Sequence, residues 1–264
     1  MLQENALASW RALAPAVEVI VFGTETGATE AASAAGALHV PQIARSERGT
    51  PLVDDLFKRA QELATNETLC FVNADIILPP MLADAAVAAF ARLPEAILVG
   101  QCREVDVSDH LNGWTPELEV EARGAPLRGP GGIDYIVFPR GAFSTLPPFA
   151  LGRANFDNWL LWNVRRQGRP LVDLTQTVLA VHQTHDYEHV DGGRAEAYFG
   201  GEASRNYALA GGRLHLFNID DSTHRLTPTG VRRNLSAPLR AAPPLRWLAL
   251  AAGSLARRVH VGEA

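Results

Sequence analysis

The stretch that decides the fold is Leu69-Cys70-Phe71-Val72-Asn73-Ala74-Asp75. Its first four residues form an apolar run with the length of a buried strand, and the run stops at two oxygen-bearing side chains, Asn73 and Asp75. In open α/β sheets, ligands bind at the carboxyl ends of the strands, where a carboxylate can hold a divalent cation against a diphosphate. A simpler interpretation is that both residues only open a turn or a helix, because Asn and Asp favour such positions.

The composition is that of an enzyme-sized globular chain. Its 264 residues are 47% hydrophobic and 20% charged, which allows a large core in one domain or two small ones. A net charge of -5 argues against a nucleic-acid partner. No run reaches the ~18 apolar residues of a membrane span, and the N-terminus lacks the pattern of a secretory signal, so we expect a cytoplasmic protein. Cys70 and Cys102 fall in or beside apolar runs, which predicts buried, reduced thiols.

Hydrophobic periodicity predicts helices that alternate with buried strands in the first half of the chain. Thr50 and Pro51 are expected to cap and open a helix whose apolar residues recur at helical spacing. The other elements expected are a helix at 5–13, a strand at 17–22, a turn at 24–27, a helix at about 29–35, a strand at 69–72, a helix opened by Pro79-Pro80 and a strand at 96–100. This alternation predicts βαβ units and a mainly parallel sheet.

The second half of the chain has a different pattern. Residues 102–130 are polar and interrupted by glycines and Pro130, which is typical of a loop over a site. Strands are predicted at 133–138, 171–174 and 177–181. A helix predicted at 155–168 carries Asp157 in its first turn, where the positive end of the helix dipole favours an ionised carboxylate.

The order of these motifs resembles that of GT-A glycosyltransferases, and most closely the family 2-like nucleotide-sugar transferases. The resemblance spans roughly residues 5–225. It rests on the strand ending in Asn73-Ala-Asp75, the strand from Gly132 to Arg140, the helix from Phe156 to Gly168 and the strand from Val178 to His182. It implies an α/β, GT-A-like fold with a doubly wound, mixed, mainly parallel sheet. The implied domain covers residues 1–225, and a tail follows at 226–264.

The resemblance also assigns roles to residues. In this family the strand-end acidic motif binds a divalent cation, Mn²⁺ or Mg²⁺, on the diphosphate of the sugar nucleotide, as Asn73 and Asp75 would do here. The acidic residue that opens the later helix is the general base, so Asp157 is the expected catalytic residue. A histidine after the following strand often completes the metal shell, which nominates His182 first and His185 second.

General chemistry requires such residues in a sugar transfer. The sugar nucleotide leaves as a diphosphate, so a hard cation must neutralise charge on oxygens. The acceptor hydroxyl must lose its proton as it attacks, which calls for a carboxylate within hydrogen-bond reach. One base opposite the leaving group implies single displacement with inversion. We therefore expect an inverting transferase that moves a sugar from a nucleotide-sugar donor to a hydroxyl of a glycan or a lipid-linked saccharide.

Further residues are expected near the ligands. Arg103, just past a strand end, could reach a phosphate, and Asp134, beside Gly131-Gly132, could touch the sugar or the acceptor. A surface salt bridge for Arg103 and a turn for Asp134 stay open as simpler interpretations. Trp159 and Trp162 either stack on an acceptor sugar or pack in the core.

Two features depart from the family pattern. The usual Asp-x-Asp is Asn73-x-Asp75 here, so we expect a low metal affinity or a dispensable cation. A GT-A domain normally starts with a strand, whereas this chain starts almost directly in a helix. We therefore expect either that the first strand is missing, with an open edge beside strand 17–22, or that the natural protein begins upstream of Met1.

Two other functional classes stay open, as does the role of the tail. One class is a catalytically silent nucleotide- or carbohydrate-binding module. The other is a sugar-phosphate nucleotidyltransferase, although the turn at 23–27 lacks the basic residue of a phosphate loop. The segment from Pro243 to His260 is amphipathic and basic, which predicts either a peripheral contact with the inner face of a membrane or docking on the domain's own surface.

Overall fold

A computed structural model describes residues 1–13, 17–185 and 192–237, together with Ala241 and Arg246. The helices are α1 (Leu2–Arg11), α2 (Ala28–Ala34), α3 (Val53–Leu63), α4 (Met81–Arg92), α5 (Pro116–Gly124), α6 (Phe156–Arg166), α7 (Gly193–Phe199) and α8 (Gly201–Leu209). The strands are β1 (Ile20–Phe22), β2 (Leu38–Val40), β3 (Thr68–Val72), β4 (Ile76–Ile77), β5 (Ile97–Val99), β6 (Arg103–Val105), β7 (Tyr135–Pro139), β8 (Leu171–Asp173), β9 (Val181–Gln183), β10 (His224–Thr227) and β11 (Gly230–Arg233). The predicted mixed α/β class is confirmed.

A six-stranded sheet with the order β11-β10-β8-β5-β7-β3 forms the centre of the fold. Strand β8 pairs in parallel with β5 and β10, whereas β7 is antiparallel to both β5 and β3, and β11 is antiparallel to β10. Four strands, β3, β5, β8 and β10, therefore point in one direction. Their carboxyl ends lie at one edge of the sheet.

The core lies on both faces of this sheet because its strands alternate their apolar side chains. From β7, Ile136 and Phe138 pack on the side of α3 and α6, where Phe138 stacks on Phe57 at 5.5 Å between ring centroids. Tyr135 and Val137 point to the other side, against α4. A strand that is buried on both faces needs an apolar side chain at almost every position, which explains the continuous apolar run in the sequence.

A second sheet, with the order β4-β9-β6, positions the polar residues. Strand β4 starts directly after Asp75 and pairs antiparallel with β9, so that Ile76 lies opposite His182. Strand β6 pairs in parallel with β9 and places Glu104 opposite His182. These three short strands bring together segments that are far apart in the chain.

The N-terminal strands form a separate unit. Strand β1 pairs in parallel with β2, and no other described strand pairs with β1. The carboxylate of Glu18 accepts the backbone N–H of Thr65 at 2.9 Å and the amide of Asn66 at 3.1 Å, which holds the start of this unit beside the start of β3. The unpaired side of β1 is the place where the sequence predicts an open edge. Helix α1 packs on β4 of the second sheet, where Trp10 Nε1 donates to the Ile76 carbonyl.

Three local predictions are wrong. The segment 102–130, predicted as a loop, contains β6 and α5, because a three-residue strand and a polar helix carry little hydrophobic periodicity. Thr50 does not cap α3, which begins at Val53, because its hydroxyl donates to Glu202 instead, at 2.6 Å. The strand predicted at 177–181 is β9 at Val181–Gln183, so His182 lies within the strand rather than after it.

Other predictions hold only in part. Cys102 is buried as predicted, but Cys70 is exposed because β3 is the edge strand of the central sheet. Strands β10 and β11 continue this sheet past residue 225, so the predicted domain boundary falls inside β10.

The described part of the tail contacts the domain. Arg246 is 8% exposed, and its Nη1 atom lies 3.1 and 3.2 Å from the two carboxylate oxygens of Asp221. The rest of the predicted amphipathic segment lies outside the described residues. Among the helices of the described ranges, none has the length and apolar character that crossing a bilayer requires.

Candidate metal and catalytic site

A polar cluster lies where β3 ends and the second sheet begins. Asp75 follows β3 and directly precedes β4, His182 is the middle residue of β9, and His185 follows β9 by two residues. Oδ2 of Asp75 lies 2.9 Å from Nε2 of His185 and 3.1 Å from Nε2 of His182. The ligand atoms of the three residues all lie within 4.8 Å of one another. The structure thus brings together the three residues predicted as metal ligands.

The chemistry of this cluster fits a divalent metal ion. Oδ1 of Asp75 is buried and has no hydrogen-bond partner among the described residues. A buried acceptor without a partner is costly, and a cation beside it would remove that cost. Two imidazole nitrogens and one carboxylate favour a first-row transition metal, such as Zn²⁺, Fe²⁺ or Mn²⁺, over Mg²⁺, which prefers oxygen ligands. The donor set therefore supports Mn²⁺ better than Mg²⁺ of the two cations expected from the sequence.

The charges within the cluster are strongly coupled. Burial raises the pKa of Asp75, but hydrogen bonds and charges from His182 and His185 outweigh it and lower that pKa to about 2. Burial lowers the pKa of His182, whereas its hydrogen bond to Asp75 and the nearby acidic charges raise it, and the net shift is upward. An ionised Asp75 is thus present at neutral pH, as metal binding requires.

The sequence interpretation missed Glu104 and Arg128, which continue this network. Oε2 of Glu104 lies 2.9 Å from Nδ1 of His182, on the side of the ring away from Asp75. Nη1 of Arg128 lies 3.1 Å from Oε1 of Glu104, and its Nε lies 3.1 Å from Oδ2 of Asp134. Had β6 been recognised, the alternation of side chains along a strand would have placed Glu104 and Arg103 on opposite faces. We find no sequence signal that singles out Arg128.

Asp134 lies between this network and the end of β3. Its carboxylate accepts the Asn73 side-chain amide at 3.3 Å, and its carbonyl accepts the Asn73 backbone N–H at 3.0 Å. Burial raises the pKa of Asp134, against the opposing charge of Arg128. Asn73 therefore donates to Asp134 through both its side chain and its backbone. Its contribution to the site is to fix Asp134 in place.

Asp157 lies at the beginning of α6, as predicted. Asn155 precedes the helix with a left-handed φ of 86°, and Oδ1 of Asp157 accepts the backbone N–H of Asn158 at 2.9 Å. Burial and the charge of Asp134 raise the pKa of Asp157 to about 7, against hydrogen bonds from backbone N–H groups that include that of Ile133. Since Ile133 precedes Asp134, this short segment connects the surroundings of Asp157 to the polar cluster around Asp75.

Two other predicted contacts are not brought to the cluster. Arg103 Nη1 donates to the Ala125 carbonyl at 2.9 Å, on the face of β6 opposite Glu104. Trp159 is 8% exposed and packs on Phe149, which favours the core role over acceptor stacking.

Trp162 and a nearby cleft lie away from the cluster. Trp162 stacks on His215 with 4.1 Å between ring centroids. A cleft of about 540 Å³ lies beside the carboxyl end of α6, and its lining includes Phe143, Asn163 and Arg166. Because Asp157 is at the other end of α6, this cleft is separate from the candidate site.

No model of a known protein family matches this chain, and a search of curated proteins finds no significantly similar sequence.

Proposed function

We propose that the chain is a metal-dependent, inverting glycosyltransferase that uses a nucleotide-sugar donor and a hydroxyl acceptor of a glycan or a lipid-linked saccharide. The observation that carries the proposal is the convergence of Asp75, His182 and His185 after β3, with Asp157 connected to them through Asp134. With this arrangement, a cation and a base would lie near one edge of a sheet, where ligands of α/β folds bind.

The donor side of the reaction rests on the three-residue cluster. Asp75, His182 and His185 would hold the cation through one carboxylate and two Nε2 atoms. A cation held there would supply positive charge against the negative charge that develops on the leaving diphosphate. The two histidines would supply neutral ligand atoms where a second aspartate is absent, so the site would carry one negative charge fewer than an Asp-x-Asp site.

The acceptor side rests on Asp157. A carboxylate with a pKa of about 7 is a suitable general base at neutral pH, since it is partly ionised and still basic enough to take a proton. The acceptor oxygen forms a bond to the anomeric carbon, the bond from that carbon to the diphosphate oxygen breaks, and the hydroxyl proton moves to Asp157. A single displacement of this kind inverts the anomeric configuration.

A thermal-shift screen tests donor binding. UDP-, GDP- and dTDP-sugars are added to the protein with and without Mn²⁺, because a ligand that binds only the native state raises the melting temperature. We expect at least one donor to stabilise the wild type in the presence of Mn²⁺ and to lose this effect in Asp75→Ala. Asp106→Ala, which removes an exposed carboxylate two residues after Glu104, is the control. Equal stabilisation of both variants would argue against a metal-held donor.

A further inference from the structure

Each ring nitrogen of His182 faces a different carboxylate. Nε2 lies 3.1 Å from Asp75, and Nδ1 lies 2.9 Å from Glu104. The side chain of His182 is only 10% exposed, so neither nitrogen has ready access to bulk water. The ring is therefore held between two acceptors, of which only Asp75 belongs to the candidate metal ligands.

The position of the ring proton decides which nitrogen of His182 can bind a metal. A neutral imidazole has one N–H and one lone pair, and a metal can take only the nitrogen with the lone pair. With Nδ1–H donating to Glu104, the lone pair of Nε2 points toward Asp75 and His185. Metal-ligating histidines commonly donate their second nitrogen to a carboxylate in this way, which fixes the ring and makes it a better ligand.

Arg128 holds Glu104 in this orientation. It binds the second oxygen of Glu104 at 3.1 Å, and the Arg128 side chain is only 13% exposed. The same guanidinium contacts Asp134, so it has little freedom to move away. Glu104, which is 34% exposed, would otherwise be free to turn toward solvent.

We propose that Glu104 is a positioning residue for the metal site: it fixes His182 as the Nδ1–H tautomer with Nε2 directed at the cation, and Arg128 keeps it there. This inference rests on the metal site of the proposed function. It does not require that the bound metal serve sugar transfer.

The test measures zinc affinity and the His182 tautomer without any sugar nucleotide. Zn²⁺ is titrated calorimetrically into the wild type, Glu104→Ala, Glu104→Gln and the control Glu121→Ala, which removes an exposed carboxylate from α5. Loss of such a partner weakens metal binding by ~10–100-fold, and we expect this loss for Glu104→Ala. Glu104→Gln should recover part of the affinity, since its amide oxygen still accepts from Nδ1–H. Glu121→Ala should bind like the wild type.

Nitrogen NMR of the zinc-bound forms adds a readout that a purely structural role would not change. In the wild type the Nδ1 signal of His182 should be that of a protonated nitrogen with a hydrogen-bonded proton, and this proton should exchange faster in Glu104→Ala. Melting temperatures of the metal-free proteins show whether each variant is folded.

The outcomes separate this inference from the proposed function. Equal zinc affinities for the wild type and a folded Glu104→Ala overturn the positioning role, whatever the activity. A wild type that binds zinc with the expected loss in Glu104→Ala, but transfers no sugar, supports the positioning role and overturns only the proposed function. A wild type that binds no metal ion overturns both.

Discussion

Nε2 of His185 lies 2.9 Å from Oδ2 of Asp75, although 110 positions separate the two residues in the chain. The contact forms because Asp75 leads into β4 and His185 leaves β9, and these two strands pair with each other. A site built across paired strands has a fixed geometry. Substitutions of single ligands therefore test each contact separately.

Metal ions that bind between Asp75 and His185 should stabilise the protein. We expect Zn²⁺ or Mn²⁺ to raise the melting temperature of the wild type, because a ligand specific to the native state stabilises it by mass action. His185→Ala should lose most of this effect. His110→Ala, which removes a histidine that is 73% exposed and faces Glu4 instead of Asp75, is the control and should keep it. A full metal effect in His185→Ala would mean that His185 is not a ligand.

Donor binding and transfer should be separable by mutation. We expect Asp75→Ala to abolish metal-dependent binding of the nucleotide sugar, because the cation loses its carboxylate. Asp157→Asn should bind the donor nearly as well as the wild type but transfer sugar ~10²–10⁴-fold more slowly, the usual loss for a general base. Calorimetry and initial rates measure the two quantities. If Asp157→Asn loses the donor as severely as Asp75→Ala, the roles of the two carboxylates are misassigned.

The activity should depend on the ionisation of Asp157. Because the pKa of Asp157 is raised to about 7, the base is protonated and inactive below this value. We expect kcat/KM to rise with pH through about 7 and then to level off. A pH profile measured at constant metal occupancy checks this. A profile that is flat between pH 5.5 and 8.5 would exclude Asp157 as the base.

The same shift predicts a pH-dependent stability. A raised pKa in the folded state favours the neutral carboxyl, so the stability that Asp157 contributes is complete below its unfolded value near 4 and is lost as the pH rises through about 7. Asp157→Asn stays neutral at every pH. Its free energy of unfolding relative to the wild type should therefore increase from pH 4 to pH 7 and then stay constant. Denaturant unfolding at several pH values measures this difference, and a difference independent of pH would contradict it.

Substitutions at Gly100 and Tyr135 test the packing next to Asp134. A Cβ atom at Gly100 would overlap the hydroxyl of Tyr135, which is buried and has no hydrogen-bond partner in the described chain. Gly100→Ala should cost ~1–3 kcal/mol through overpacking. Tyr135→Phe should cost nothing or stabilise the protein, since it removes an unpaired polar group. Adding Tyr135→Phe to Gly100→Ala should recover part of the loss in chemical denaturation. A double variant no more stable than Gly100→Ala would contradict this packing.

The sequence predicted those parts of the fold whose hydrophobic pattern is local. Strand β3 is a continuous apolar run, and α6 has apolar residues at helical spacing after Asn155, so both were found with nearly correct ends. Strands β4 and β6 are two and three residues long, and their formation depends on pairing with β9. Such strands leave no periodic signal, and they are visible only after folding.

The same limit explains which site residues were predicted. Asp75 and His182 follow or lie in strands with apolar patterns, so their places at the sheet edge could be inferred. Glu104 lies in a strand that the pattern does not show, and Arg128 reaches it from an irregular segment of the chain. The placement of Arg103 on the face away from Glu104 could not be predicted for the same reason: without β6, nothing indicated that neighbouring side chains point to opposite faces.

Metal-dependent sugar transfer is tested most directly by following the phosphorus atoms of the donor identified by the thermal-shift screen. The nucleotide sugar is incubated with the protein, Mn²⁺ and a pool of saccharide acceptors, and again with Asp75→Ala or without the metal. Samples taken over time are freed of the paramagnetic Mn²⁺ on a chelating resin before their phosphorus NMR spectra are recorded. We predict that a nucleoside diphosphate appears with the wild type and Mn²⁺ and in neither control, since transfer breaks the bond between the sugar and the diphosphate. Formation of a nucleoside monophosphate and a sugar phosphate, or the same rate without Mn²⁺, would contradict a metal-dependent glycosyltransferase.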